Sequence, residues 1–231
     1  MRSLCDVPSD EFVKSCLPLF DGPAVEITIG ELSYHVPKAL LCRHSPYFSA
    51  MFDGQFKEST SRSTILEEIE GIVSERSVSM FLQWLYTGHA NLVVDTAVES
   101  IEAHIEFARL ADMLGIDHLG SYAAEHIKDT ILEHRPADYE NADANCYHVT
   151  PYHLQQARCL PKGHAIRTTL AKACVENFLS GNEFDFNEEM QDHAELAADL
   201  VSQLRPVLRK MASHSRAYPY KDPLTEETRY L

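Results

Sequence analysis

The chain has 231 residues and a net charge of −15, from 20 basic and 35 acidic side chains. An acidic surface of this kind repels a phosphate backbone, so we expect no direct binding to nucleic acid. Apolar residues make up 45% of the chain, which suits a buried core. No stretch approaches the roughly 18–20 uninterrupted apolar residues of a membrane span, so we expect no membrane insertion.

A β-hairpin is the first predicted element. Apolar and polar residues alternate over residues 25–29 and again over residues 32–36. A period of two places one face of each strand in the core and the other in solvent. Gly30 and Glu31 lie between the two runs and fit a tight turn with glycine at its first central position.

Two short helices are predicted after the hairpin. Pro37 suits the start of the first helix because proline has no N–H to donate. Ser45-Pro46 has the pattern of an N-cap followed by proline at the first helical position, which ends one helix and begins another. Gly54 is a natural end for the second helix.

The next segment is mostly helical. We predict a short strand over residues 63–66, a helix over 77–86, a candidate strand over 92–94, and helices over 99–114 and 118–132. A hairpin, a helix pair, a strand and three helices in this order predict an α+β fold.

The remaining chain is predicted to be a helical extension. Residues 135–151 lack periodicity and are rich in Asn, Asp and Pro, which indicates a linker or an ordered loop. Helices are predicted over residues 163–180 and 188–212, the second with leucines spaced by four at Leu196, Leu200, Leu204 and Leu208. We expect the tail from Arg216 to be partly free.

Three stretches carry a family pattern, namely YHVPKALLCRHSPYFSAMFDGQFKES, FLQWLYTGH and FARLADMLGIDHLGSYAAEHI. Their order resembles the BTB/POZ domain, in the style of fungal BTB proteins. The matching residues are Tyr34, Lys38, Leu41, Ser45, Phe48, Phe56, Glu58, Ser59, Leu85, Tyr86, Thr87, Gly88, Ala111, Asp112 and Leu114. The resemblance implies a BTB/POZ fold, in which a short-stranded sheet is capped by a cluster of α-helices, followed here by a mostly α-helical C-terminal extension.

The resemblance also implies a domain organisation. We predict an N-terminal arm over residues 1–19, a BTB/POZ domain over 20–133, a linker or loop over 134–151 and a helical extension over 152–231. Two positions depart from the family pattern. Pro37 occupies a position where family members often have histidine. Near Ala24, many members have an aspartate, which lines a charged pocket of the dimer interface together with the family lysine. In this chain, Lys38 would line that pocket without the aspartate.

A partner-binding site follows from the resemblance. Phe56-Lys57-Glu58 matches the hydrophobic-x-Glu motif with which some BTB adaptors bind a cullin scaffold. Met51 and Tyr86 would be secondary contacts at best, and the favoured alternative for both is a place in the core. An aromatic anchor in a partner's pocket contributes ~2 kcal/mol or more. In the alternative interpretation, Phe56 closes the core of its own domain and Glu58 is a solvated charge at a helix end.

Homodimerisation is common in the family and implies a second site. We assign Phe12, Leu17, Lys38 and Leu40 to a dimer interface, which would need about 800 Å² of buried surface on each partner. The alternative for the N-terminal arm is a frayed terminus.

One cluster of residues resembles a metal site. Cys146, His148, His153, Cys159 and His164 are spaced as C-x-H-x4-H-x5-C-x4-H. Structural zinc sites usually pair their ligands more closely, so we predict no metal and no cofactor. The sequence contains no nucleophile elbow, phosphate loop or H-E-x-x-H motif, so we predict no catalytic residue and no small-molecule substrate.

The resemblance thus implies a non-enzymatic protein–protein interaction module that assembles a complex, by self-association or as a substrate-recruiting adaptor for a cullin-type ubiquitin ligase. A transcriptional or structural scaffold without a ligase role is one alternative, and a metal-dependent enzyme that uses the His/Cys cluster is another. The six cysteines form no C-x-x-C pair and the first 20 residues contain no apolar signal segment. We therefore expect reduced thiols and a location in the cytoplasm or the nucleus.

Overall fold

A computed structural model describes residues 8–134, 148–180, 184–211 and 219–230. The chain divides into two compact units. The first contains residues 1–93 and 106–119, and the second contains residues 94–105 and 120–231. Among the described residues, no helix combines the length and the apolar character needed to cross a membrane.

A three-stranded sheet lies in the first unit. Strands β1 (Ala24–Ile29) and β2 (Leu32–Pro37) form the predicted antiparallel hairpin, and β3 (Ser63–Ile65) pairs in parallel with β1, which gives the order β2-β1-β3. Gly30 turns the hairpin with a φ of 54°, where a glycine avoids the steric cost of a Cβ atom. The alternating apolar residues of β1 are buried on one face, as the period of two predicts.

Helices precede and follow these strands along the chain. The chain begins with α1 (Ser9–Glu11), a π-helical turn (Phe12–Cys16) and a 3₁₀ turn (Leu17–Phe20). The next helices are α2 (Lys38–His44), α3 (Pro46–Asp53), α4 (Lys57–Ser61), α5 (Glu75–Thr87), α6 (Ala97–Met113) and α7 (Leu119–Glu133). Helices α6 and α7 contribute residues to both units.

The core of the first unit is aromatic. Phe48 of α3 lies between two further rings, with centroid distances of 6.1 Å to Phe52 and 6.2 Å to Phe81. All three rings are buried, as is Leu40 of α2. The predicted helix pair therefore supplies core residues from both of its helices.

The second unit is mostly helical. It contains α8 (Pro151–Ala157), α9 (Ala165–Ser180), α10 (Asn187–Asp192), α11 (Ala194–Met211) and a small antiparallel pair, β4 (Pro219–Lys221) and β5 (Thr228–Tyr230). The buried Arg167 of α9 donates to the Asp199 carboxylate of α11, with its Nε at 2.7 Å, and to the carbonyl oxygen of Leu160, with its Nη1 at 3.0 Å. Because a buried guanidinium requires acceptors, this network fixes α9 against α11.

Two sequence predictions about elements were wrong. Residues 92–94 form no strand, and Val93 is 97% exposed, because a strand requires a neighbour for its backbone hydrogen bonds and no described segment pairs with these residues. The single helix predicted over residues 188–212 is broken at His193, which has an extended backbone between α10 and α11. The tail, expected to be partly free, contains the β4–β5 pair. Most of the predicted linker, residues 135–147, lies outside the described residues.

Candidate protein-interaction site

Phe56 lies on the surface of the first unit, beside a groove. Its side chain is 61% exposed. Tyr47, Ala50 and Met51 of α3 and Glu58 of α4 line the groove with it, and the groove has a volume of about 330 Å³. Three of the predicted partner-binding residues, Met51, Phe56 and Glu58, are therefore brought together. The exposure of Phe56 rules out the alternative in which its ring closes the domain core.

The turn before Phe56 depends on a glycine. Gly54 ends α3, and a Cβ atom at this residue would overlap the carbonyl oxygen of Ala50 and lie 3.4 Å from the Phe56 ring. Ser59 then holds the backbone of Phe56, because its hydroxyl donates to the Phe56 carbonyl oxygen at 2.8 Å. The serine of the Phe-x-Glu-Ser pattern therefore positions the aromatic residue.

The groove has an acidic edge. Glu58 is partly buried, and its carboxylate lies 3.9 Å from the ammonium group of Lys57, which is itself almost fully exposed. An exposed ion pair of this length contributes little to stability. The Glu58 carboxylate thus remains available to a basic group on a partner.

Tyr86 lies in a different groove of the first unit. That groove has a volume of about 360 Å³, and its lining includes Tyr34, Val36 and Leu82. The Tyr86 ring packs against Phe20 at a centroid distance of 6.0 Å, and partial burial raises the pKa of its hydroxyl. The structure therefore does not bring Tyr86 together with Phe56.

Lys38 has an acidic partner that the sequence did not predict. Its Nζ lies 2.8 Å from Oδ1 of Asp53, at the end of α3, and donates to the carbonyl oxygen of Phe52 at 2.8 Å. The hydrogen bond from Lys38 holds the pKa of the Asp53 carboxyl below its usual range. Burial, followed by the charge of Asp53, raises the pKa of the Cys42 thiol to about 11. Asp53 thus balances the charge of Lys38, in the absence of the aspartate that many family members carry near the position of Ala24.

Comparison with known families identifies this part of the chain. Residues 24–131 match the family model of the BTB/POZ domain. This segment has the BTB/POZ fold. The predicted α+β fold with a helical extension is confirmed, and BTB/POZ domains are protein–protein interaction modules of a generally non-enzymatic family. The fungal style inferred from the sequence stays a prediction.

The predicted dimer residues differ in their exposure. Leu17, which precedes the BTB/POZ domain, is exposed, as is Val13, whereas Phe12 is partly buried. Leu40 is fully buried in the core and presents no surface to a partner. The resemblance to the family assigned Leu40 to the dimer interface, but Leu40 lies on the apolar face of α2, which packs into the core.

The described members of the predicted metal cluster each have contacts of their own. His153 is buried; its Nδ1 accepts from the Thr150 amide at 3.1 Å, and its Nε2 donates to the Val98 carbonyl oxygen at 3.2 Å. His148 Nε2 lies 3.1 Å from the carbonyl oxygen of His134. The thiol of Cys159 donates to the carbonyl oxygen of Gln155. The ring of His164 accepts from the Ile166 amide. Cys146 lies outside the described residues. Within residues 8–134, 148–180, 184–211 and 219–230, no group of three or more His, Cys, Asp or Glu residues could hold a metal ion.

A buried histidine cluster was missed. His44 and His118 flank Trp84 in the BTB/POZ domain, with centroid distances of 5.6 and 5.2 Å. Neither ring nitrogen of His44 has a hydrogen-bond partner among the described residues, and burial lowers its pKa to about 4. Trp84 is buried, but nothing in the sequence pattern indicated which of the 12 histidines would lie against it.

Proposed function

We propose that this protein assembles a complex by binding a cullin-type scaffold through the Phe56 groove, and thereby recruits substrates to a ubiquitin ligase. The observation that supports the proposal is the exposed Phe56 ring beside an open groove lined by Met51 and Glu58. A large aromatic ring held in solvent is a natural anchor for a pocket on a partner.

Two contacts would contribute to this interface. Burial of the Phe56 ring in a partner pocket contributes ~2 kcal/mol or more, which corresponds to about a thirtyfold change in affinity. The Glu58 carboxylate would meet a basic residue of the partner at the edge of the groove. A charge at such a rim affects the association rate and the specificity more than the affinity.

A double substitution in the full chain tests the proposal. Phe56→Ala with Glu58→Ala should abolish pull-down of a cullin and leave the melting temperature within a few degrees, because Phe56 is exposed. Ile65→Ala is the matched control, since Ile65 is 75% exposed on β3 and does not line the groove. Cullin binding that survives the double substitution, or a protein that unfolds, contradicts the proposed role of these residues.

Self-association is a second proposed activity. It is supported by two exposed apolar residues, Val13 and Leu17, in the segment that precedes the BTB/POZ domain. Leu17→Glu places a charge there and should weaken dimerisation of the full chain, as measured by light scattering after size exclusion. A wild-type chain that is a monomer at tens of micromolar contradicts self-association.

The scaffold alternative has a distinct outcome in the same experiments. A transcriptional or structural scaffold would self-associate and bind other proteins through the groove without retaining a cullin. Affinity purification from the native cell followed by mass spectrometry would then recover partners that depend on Phe56 and include no cullin. The helical extension, residues 152–231, would hold substrate in the ligase proposal and a structural partner in this alternative.

A further inference from the structure

Helix α11 carries two rows of residues on different sides. One row, with Leu196, Leu200, Leu204 and Val207, is buried in the second unit. The other row, which we call the outer row, is exposed and consists of Ala194, Ala198, Val201, Arg205 and Leu208. Val201 is 60% exposed and Leu208 is 50% exposed. Leu208 continues the spacing by four of Leu196, Leu200 and Leu204, but the structure places it on the outer row.

The outer row has the spacing of a helix that pairs with another helix. Its residues follow one another at intervals of four, three, four and three. This is the heptad spacing of a coiled-coil seam, which keeps one line of side chains facing a partner helix. The row covers about 21 Å at 1.5 Å per residue.

The charges beside the outer row favour an antiparallel partner of the same sequence. Glu195 follows the first residue of the row and Arg209 follows the last, so both occupy the same flank, two heptads apart. In an antiparallel pair of identical helices, this flank of one copy meets the same flank of the other. Glu195 of each copy then lies beside Arg209 of the other, and two ion pairs form by symmetry.

The sizes of the side chains fit the same arrangement. An antiparallel pair centred near Gln203 places the small Ala198 of one helix opposite the large Leu208 of the other. Both Glu195 and Arg209 are exposed, and in its own chain the Glu195 carboxylate lies 3.7 Å from Arg158 and accepts from its own backbone amide. We propose that α11 pairs in antiparallel orientation with α11 of a second copy of this chain, through the outer row.

The area of one helix face limits the strength of this association. A stable interface buries about 800 Å² on each partner, and a row of 21 Å supplies less than that. We expect a reversible association with a dissociation constant of roughly 1 to 100 µM. The outer row shares no residue with the Phe56 groove or with the N-terminal segment, so this proposal is independent of the proposed function.

Sedimentation velocity from about 1 to 200 µM tests the proposal in a full chain that carries Leu17→Glu, so that the N-terminal contact does not contribute. In this chain, Val201→Glu should weaken self-association at least tenfold, because it places a charge in the seam. Val93→Glu is the matched control, since it adds the same charge at an exposed valine outside the outer row, and it should leave association unchanged. A Leu17→Glu chain with no association in this range, or association in that chain that Val201→Glu leaves intact, overturns the proposal.

Charge reversal tests the antiparallel orientation. Glu195→Arg and Arg209→Glu should each weaken association, because like charges then meet across the pair. The double variant should restore it, since the ion pairs form again with their signs exchanged. A double variant no better than the single variants overturns the antiparallel arrangement. Cullin binding should be unaffected by Val201→Glu, and loss of cullin binding in the Phe56 variant should leave α11 pairing intact, so the two proposals fail separately.

Discussion

The hydroxyl of Ser45 donates to the carbonyl oxygen of Leu114 at 2.8 Å and also accepts from the amide of Phe48. One buried side chain therefore caps the start of α3 and satisfies a carbonyl group just beyond the end of α6. Because α3 supplies Met51 and most of the groove wall, this contact fixes the elements that position the proposed binding site.

Ser45→Ala should destabilise the protein. The substitution removes a helix cap and leaves a buried carbonyl group without its partner, so we expect a loss of about 1–3 kcal/mol in the free energy of unfolding, measured in urea. Ser49→Ala, in the same helix, removes only a long, exposed hydrogen bond to Asp53 and should cost less than about 0.5 kcal/mol. Equal effects of the two substitutions would show that the Ser45 contacts contribute nothing specific.

The Lys38–Asp53 contact should be visible in the titration of one carboxyl group. Lys38→Met removes the hydrogen bond that lowers the pKa of Asp53, so this pKa should rise toward its ordinary value when followed by NMR. Lys57→Met removes an exposed lysine elsewhere and should leave the pKa of Asp53 unchanged. An Asp53 pKa that does not move in Lys38→Met contradicts the pairing.

Buried histidines should make the protein sensitive to acid. Burial lowers the pKa values of His44, His104 and His153 to about 4 in the folded state, from an ordinary value of 6.5. Between these values the unfolded chain binds more protons than the folded chain, so stability is lost as the pH falls from about 6.5 to about 4. Each histidine adds a slope of about 1.4 kcal/mol per pH unit within that window.

A substitution isolates the contribution of His44. His44→Phe keeps a ring against Trp84 but cannot bind a proton, so the dependence of the urea midpoint on pH should become less steep below pH 6.5. His35→Phe, at an exposed histidine of β2, should leave the slope as it is in the wild type. A wild-type stability that is flat between pH 4 and 6.5 would contradict the buried neutral state of these rings.

Zinc removal should have little effect. Both ring nitrogens of His153 bond to the backbone, so this residue would have to break two hydrogen bonds to bind a metal ion. We expect well under one zinc ion per chain after purification and no change in melting temperature with a chelator. Stoichiometric zinc that resists dialysis, with a lower melting temperature after chelation, would instead favour the metal-dependent alternative.

The sequence predicted those elements that depend on local patterns. The alternation in β1 and the Ser45-Pro46 pair each leave a signature in neighbouring residues, and the hairpin and the two short helices are found where expected. The break at His193 carries no proline or glycine and was missed. Residues 92–94 have apolar side chains suited to a strand, but a strand also requires a partner, which local sequence does not show.

The candidate site, too, could be predicted only as far as local sequence patterns allow. The motif indicated Phe56 and Glu58, and Met51 was predicted as a secondary contact. An apolar residue in a short helical segment, however, has the same local pattern whether it faces the core or the solvent. The sequence therefore left open whether Phe56 was buried, and the tertiary structure exposes it. The pairing of Lys38 with Asp53 and the separation of Tyr86 from Phe56 depend likewise on contacts between distant parts of the chain.

The most direct test of cullin binding through the Phe56 groove is the affinity of the full chain for a purified cullin, measured by titration calorimetry. With Phe56→Ala, we predict a dissociation constant about thirtyfold or more above that of the wild type, and with Ile65→Ala we predict no change. A wild-type chain that does not bind the cullin, or a Phe56→Ala variant that binds it as tightly as the wild type does, would contradict the claim that this groove is the binding site.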